Sequence, residues 1–545
     1  MKNWINKAVF YHIYPLGLCG APRFHEETIT HSITKVLDWI PHLKQMQINA
    51  LYLGPVFESY EHGYDTSDYR MLDRRLGDNE DFKRVCDALH EEGIHIVLDG
   101  VFNHVGREFF AFKDILKNRE NSKYLNWFVN VRFDQNNPYN DGFNYDTWQG
   151  YHNLIKLNLK NEEVVQYLLE SVGMWMDDFH VNGLRLDAAD CIDLEFFHRL
   201  KGYCKGKDES FWLMGEIIHG DYTVWANNDT LDSVTNYECY KGLYSSHNDK
   251  NYFEIGHSLN RQFAKGGIYE HLHLYNFVDN HDVNRLASTL KDKIDLVNVY
   301  ALLYTMPGIP SVYYGSEWAM EGKKHDGSDA DIRPSIEIEK MKDIPLTKHI
   351  AKLGSIRQQY PVLFDGAYES ISLKNEQFVF KRYNEEISLT IVLNVANTDC
   401  EVDIASQGMD LFDVLEDTSY PCIKDNVRIC VKAKSSCILI EKQSVTPPKN
   451  LIQKEDKKTL IVEKPLQKPL VVEINEDLPL GRYEHFKGKH YAVLYVGYHS
   501  ETLEKYVVYR QLYGEGSVWV RPLSMFKENV EVDGKQVPRF RYIKE

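Results

Sequence analysis

Residues 95–104 read His95-Ile96-Val97-Leu98-Asp99-Gly100-Val101-Phe102-Asn103-His104. The apolar run from His95 to Asp99 has the length and composition of a buried strand, and it stops at an acid followed by an Asn-His pair. The same figure recurs on both sides of it. Val9 to Tyr14 and Ala50 to Leu53 precede it; Gly183 to Asp187, Trp212 to Glu216, Val234 to Tyr237, Leu274 to Val278 and Ile309 to Tyr313 follow. Amphipathic segments such as Ile33 to Met46, Asp81 to Glu92, Glu162 to Phe179 and Ile294 to Met306 separate them. Eight strands alternating with helices predict an α/β fold, a closed (β/α)₈ TIM barrel over residues 1–361.

Two departures from that rhythm mark appended structure. Residues 105–155 are too long for a strand-to-helix loop and dense in Asn, Asp and aromatic residues, which predicts a small inserted domain after strand 3. Residues 362–442 change to alternating strand-like runs (Phe378 to Tyr383, Ser388 to Val392, Cys437 to Glu441), the pattern of an all-β sandwich. Residues 443–478 are rich in Lys, Glu and Pro and read as a linker. From 479 to 545 the runs Tyr491 to Tyr498, Tyr506 to Tyr509 and Val518 to Val520 predict a small β-rich C-terminal module.

Composition narrows the function. The 545 residues carry a formal net charge of −17, a field that repels phosphate backbones and anionic head groups, so nucleic acid and membrane surfaces are excluded as partners. No stretch approaches the 18 apolar residues of a membrane span. The nine cysteines are odd in number and lack CxxC or metal-ligand spacing, which reads as a set of reduced thiols. With no signal-peptide core in MKNWINKAVFYHIYP, the expected location is cytoplasmic. The 35 tyrosines suit stacking on sugar rings or an aromatic core, and composition does not choose between the two.

Four motifs stand at predicted strand ends: Asp99-Gly-Val-Phe-Asn103-His104, Gly183-Leu-Arg185-Leu-Asp187, Gly215-Glu216 and Phe277-Val-Asp-Asn-His281-Asp282. Barrel active sites collect at that end of the strands, so four such motifs in register point to one site. In order and placement they resemble the signature regions of the α-amylase superfamily, glycoside hydrolase family thirteen. Gly63-Tyr64-Asp65-Thr66-Ser67-Asp68-Tyr69 and the stretch from Gly308-Ile309-Pro310 to Glu317 agree with it. The resemblance covers about the first 440 residues.

Retaining cleavage of a glycosidic bond requires an ionised carboxylate and a protonated carboxyl about 5 to 5.5 Å apart. The resemblance implies Asp187 as nucleophile, Glu216 as general acid/base and Asp282 as the carboxylate that stabilises the transition state through sugar hydroxyls. It implies substrate contacts from Tyr64, His104, His281 and, more remotely, Asp65 and Arg333, the last in Asp331-Ile332-Arg333-Pro334. Arg185 stands two residues before Asp187 on a strand and so shares its face, where it can hold the nucleophile ionised. Asn103 resembles a calcium-coordinating position, but no further oxygen ligands are identifiable, so no metal is assigned and no cofactor is required.

The ending Lys156-Leu157-Asn158 of the stretch that starts at Tyr151 resembles maltodextrin-acting intracellular members. The expected partner is therefore an α-1,4-glucan oligosaccharide. A 4-α-glucanotransferase with the same site and a catalytically silent carbohydrate-binding protein stay open as alternatives, as does the oligomeric state. The C-terminal module, with Gly481-Arg482-Tyr483-Glu484-His485-Phe486-Lys487-Gly488, resembles a small bacterial domain of uncharacterised function. That resemblance names no activity.

Overall fold

The computed structural model describes residues 4–325, 327–406, 408–442, 478–498, 504–514, 516–532 and 535–543. The linker expected over 443–478 lies outside these, except for Leu478, which is buried in the core of the C-terminal unit. The chain divides into two compact units, Met1–Pro447 and Pro448–Glu545.

Eight parallel strands form the barrel: β1 (Phe10–Ile13), β2 (Ala50–Leu53), β3 (His95–Gly100), β4 (Gly183–Leu186), β5 (Trp212–Gly215), β6 (Ser233–Val234), β7 (Tyr275–Asn276) and β8 (Ile309–Tyr313). They lie in the order β6-β5-β4-β3-β2-β1-β8-β7. A parallel bridge between Thr235 and Tyr275 closes β6 onto β7. Each strand is buried on both faces, which is why it reads as an unbroken apolar run. The two-residue repeat of a strand then sorts the side chains. Phe10, Ala50, Tyr52, Val97, Trp212, Met214, Tyr275 and Ile309 fill the barrel interior. Their neighbours Tyr11, Leu51, Leu53, Ile96, Leu98, Leu184 and Leu213 belong to the core shared with the surrounding helices.

The helices form where the periodicity predicts, with ends set by capping. Asn79–Glu91 starts two residues before the expected Asp81, because Asp78 accepts a hydrogen bond from the Asp81 backbone N–H and Asp81 closes the reciprocal capping box. The expected strand Val234 to Tyr237 stops at Val234, because Asn236 caps a helix over Tyr237–Asn248 by accepting from the Cys239 N–H. The expected strand Leu274 to Val278 is ladder-paired only at Tyr275–Asn276. No helix among the described residues is long and apolar enough to cross a membrane.

After β3 the chain leaves the barrel, forms a helix over Phe110–Asn118 and returns through a three-stranded antiparallel sheet of His104–Val105, Tyr151–Lys156 and Thr147–Trp148. This excursion has buried aromatic residues of its own, Phe109, Phe112, Phe128, Phe143 and Tyr145. Beyond the barrel, a six-stranded antiparallel sheet faces a two-stranded one, Cys400–Ala405 with Asn426–Val431. The period-2 pattern again decides the faces. Val379, Val392 and Leu439 point toward the smaller sheet, where they join Ile404, Val427 and Ile429. Phe378, Phe380, Ile391, Leu393 and Ile438 join the barrel-helix core. The C-terminal unit is a five-stranded antiparallel sheet packed on Tyr483, Val493, Val507, Tyr509, Phe526 and Phe540.

Candidate active site

The interior positions of the barrel change character at the C-terminal ends of the strands. Cross-strand register places Asp99 beside Arg185, and the pleat turns Asp187 and Arg185 to one face. Arg185 Nη1 donates to Asp99 Oδ1 at 2.8 Å and to Asp187 Oδ1 at 3.0 Å, and Nη2 contacts Glu216 Oε1 at 2.9 Å. One guanidinium therefore holds three carboxylates, a use that its rigid fork of donors permits. Asp99 is fixed further by hydrogen bonds from the Tyr52 and Tyr64 hydroxyls to Oδ2, at 2.7 and 3.0 Å. Ala188, directly after Asp187, takes the left-handed conformation (φ 44°, ψ 45°) and donates its N–H to Glu216 Oε2 at 3.0 Å. That strained turn orients Glu216 through the backbone that carries Asp187.

Asp282 stands on the β7 side of the mouth in a different electrostatic setting. Its Oδ2 lies 2.9 Å from His281 Nε2, and its Oδ1 3.1 Å from Arg333 Nη2. Arg333 also contacts Asp329 at 3.0 Å, donates Nε–H to the His281 carbonyl at 2.9 Å and lies over the Tyr14 ring. Tyr64 stacks on His281, with ring planes 10° apart, and its hydroxyl bonds the same Nε2.

These surroundings separate the carboxyl groups. Burial raises Asp187, and the charges of Glu216, Asp99 and Asp282 add to it against the pull of Arg185. Burial likewise raises Glu216, with Asp282 adding to it and Arg185 and the Ala188 N–H opposing. Both carboxyls are thus held above the ordinary carboxylate range, and the pull of Arg185 on Asp187 is outweighed by burial. For Asp282, burial works upward but is outweighed by His281, Arg333 and Arg185, so this carboxyl is held well below its usual value. Burial pushes His104 down to about 3. It is thus a neutral hydrogen-bonding ring, with Nε2 3.9 Å from Asp187 Oδ2. Asn103 donates to its Nδ1 at 3.2 Å, and the Asn103 carbonyl accepts from Leu157 N–H, tying β3 to the returning strand.

The structure thus gathers Asp187, Glu216, Asp282, Arg185, His104, His281, Tyr64 and Arg333 at one mouth. Asp65 is not among them. Its carboxylate turns into its own loop and accepts the N–H groups of Glu61 and His62 at 2.9 and 3.1 Å. Gly106 packs against the Asp65 carbonyl so closely that a Cβ there would lie 2.3 Å from it; the loop is held against the excursion. Besides Asp282, the acid that meets Arg333 is Asp329, whereas Asp331 pairs with His325 at 2.9 Å. The sequence motifs give no site role to Tyr52 or Tyr14, and none to Asp99 beyond opening the first motif. Asp99 carried a signal, since it ends a strand in the first motif on the same inward face as Arg185.

A closed barrel with convergent carboxylates at the C-terminal face defines a class of enzyme that works on a bond between two acids. The α-amylase catalytic-domain model matches residues 31–352, and the chain belongs to that family of glycoside hydrolases. Residues 481–542 match a family described as a protein of unknown function (DUF1653). A cyclomaltodextrinase from a Bacillus species is 28% identical over 413 residues, covering 72% of this chain and 73% of the relative. A cyclomaltodextrinase from Thermoanaerobacter pseudethanolicus is 32% identical over 372 residues, covering 66% and 62%. Among solved structures, the ligand-free cyclic α-maltosyl-(1→6)-maltose hydrolase from Arthrobacter globiformis superposes with a TM-score of 0.69 at 25% identity, over 80% of this chain and 99% of that one.

Proposed function

We propose that the protein is a retaining hydrolase of α-1,4-linked glucans such as maltodextrins, working through a covalent glycosyl-Asp187 intermediate. The observation that carries this is the Arg185 fork, which holds Asp187 and Glu216 on its two Nη atoms. Two acids on one guanidinium suit the short separation of a retaining pair, about 5 to 5.5 Å. Glu216 in its protonated form donates to the glycosidic oxygen while ionised Asp187 attacks the anomeric carbon; Glu216 then takes a proton from the incoming water, which displaces Asp187. Asp282, kept ionised by His281 and Arg333, stabilises the positive charge that builds on the sugar ring. His104 and His281 bind hydroxyls of that sugar, and Tyr64 supplies its stacking face.

The substrate class follows the cyclomaltodextrinase relatives. Cytoplasmic action belongs to the same reading and is supported by cysteines that are all unpaired. The test is product analysis on maltoheptaose, β-cyclodextrin and pullulan, with Asp187→Asn as blank and the anomeric form of the first product followed by NMR. Short products of retained configuration, absent with Asp187→Asn, are expected. Products longer than the substrate would instead mark a 4-α-glucanotransferase, inverted products would refute the covalent intermediate, and no reaction would leave a carbohydrate-binding protein.

A further inference from the structure

The hairpin that brings the excursion back to the barrel carries two rings that the apolar core does not use. Trp148 and Tyr151 pair across its tip, with ring centroids 5.9 Å apart and planes at 26°. The two residues between them, Gln149 and Gly150, both have positive φ (48° and 85°), the requirement of a tight two-residue turn that fixes cross-strand register. Neither ring belongs to the core around Phe109, Phe112, Phe128 and Phe143, and Tyr151 is 57% exposed. At the other end of the pair, the Trp148 ring lies 5.6 Å from that of His104, whose Nε2 is 3.9 Å from Asp187 Oδ2 and has no hydrogen-bond partner among the described residues. Asp187, His104, Trp148 and Tyr151 thus form one line from the nucleophile to solvent. It stands apart from the Arg333 group after β8, with β2 and β1 between them around the rim.

We propose that Trp148 and Tyr151 are a stacking platform for glucose units beyond those that productively bound maltotriose places around Asp187, and that this platform sets a preference for longer maltodextrins. The inference rests on the function proposed above. A cross-strand aromatic pair also stabilises its hairpin, but that hairpin is already anchored by ladder pairing with His104–Val105. A rigid, half-exposed pair continuous with the catalytic line instead offers the flat apolar face that a sugar ring covers.

The test is steady-state kinetics of the full chain on maltotriose and maltoheptaose, for the native enzyme and for Trp148→Ala, Tyr151→Ala and Trp148→Phe. The ratio of kcat/KM for maltoheptaose to that for maltotriose is expected to fall roughly three- to tenfold in Trp148→Ala, mainly through KM. It should fall less in Tyr151→Ala and return toward native in Trp148→Phe. Equal losses on both substrates would show that the rings only support His104 and would overturn the proposal, as would an unchanged ratio. If the native chain cleaves neither sugar, the proposed function fails. The platform is then judged by calorimetry on Asp187→Asn: tighter binding of maltoheptaose than maltotriose, abolished by adding Trp148→Ala, supports it, and equal binding refutes it.

Discussion

The lower and upper ends of the barrel are made by the same strands and hold opposite chemistry, two residues apart. On β3 Val97 lies in the apolar interior and Asp99 in the charged mouth; Met214 and Glu216 stand in the same relation at the end of β5. Below, Phe10, Trp212 and Tyr275 pack ring against ring, with Phe10 and Trp212 centroids 5.3 Å apart. Above, one arginine holds three buried acids. The pleat makes this division possible, since each second residue returns to the interior one layer higher. The lower layer is built for stability, whereas the upper one confines charge at a cost in stability.

The largest expected effect falls on the upper layer. Asp187→Asn and Glu216→Gln should each reduce kcat on maltoheptaose by on the order of 10⁴-fold or more, measured with highly purified protein. A residual rate near native would remove these two acids from the mechanism. Arg185→Met leaves three buried carboxylates without their cation and should cost about 3 to 5 kcal/mol of stability in denaturant titration. In the protein that remains folded, both limbs of the pH–rate profile should move to higher pH, because Arg185 lowers both Asp187 and Glu216.

A change in the lower layer should behave differently. Trp212→Ala opens a cavity and should cost a similar amount, about 3 to 5 kcal/mol, while kcat per folded molecule stays close to native. A matching collapse of kcat would mean that the two layers are not separable.

The smallest effects test the charges themselves. The folded-state pKa of Glu216 is raised, so its proton stabilises the fold at low pH, and that contribution is lost as pH rises through the raised value. Glu216→Gln should therefore raise Tm at neutral pH. Asp282 has the opposite sign: its lowered pKa gives stability above the ordinary carboxylate range that is lost as pH falls through the folded value. Asp282→Asn should therefore lower Tm at neutral pH. Calorimetric scans of both variants at pH 7 check the pair, and shifts in the same direction would contradict the electrostatic contrast between them.

Much of this was legible from spacing. The eight strand runs, the switch to period 2 after residue 362 and the placement of the four motifs at strand ends depend on local repeats. Spacing misplaces an element boundary where a side chain outside the repeat decides the outcome. Asn236 cut short a plausible sixth strand by capping a helix, and Asp78 moved a helix start by two residues.

The sequence by itself determined the barrel, the order of the motifs along it and the expectation that Asp187, Glu216 and Asp282 share a site, because hydrophobic period and strand ends are properties of neighbouring residues. Only the tertiary structure decided which groups meet. It joined Asp99 to Arg185 across 86 positions, gave Arg333 to Asp282 and Asp329 rather than to Asp331, and turned Asp65 into its own loop. Partnerships of that kind are set by how distant loops fold back over the barrel mouth, and by which buried charge finds a counter-charge or donor there, and neither is written in residue spacing.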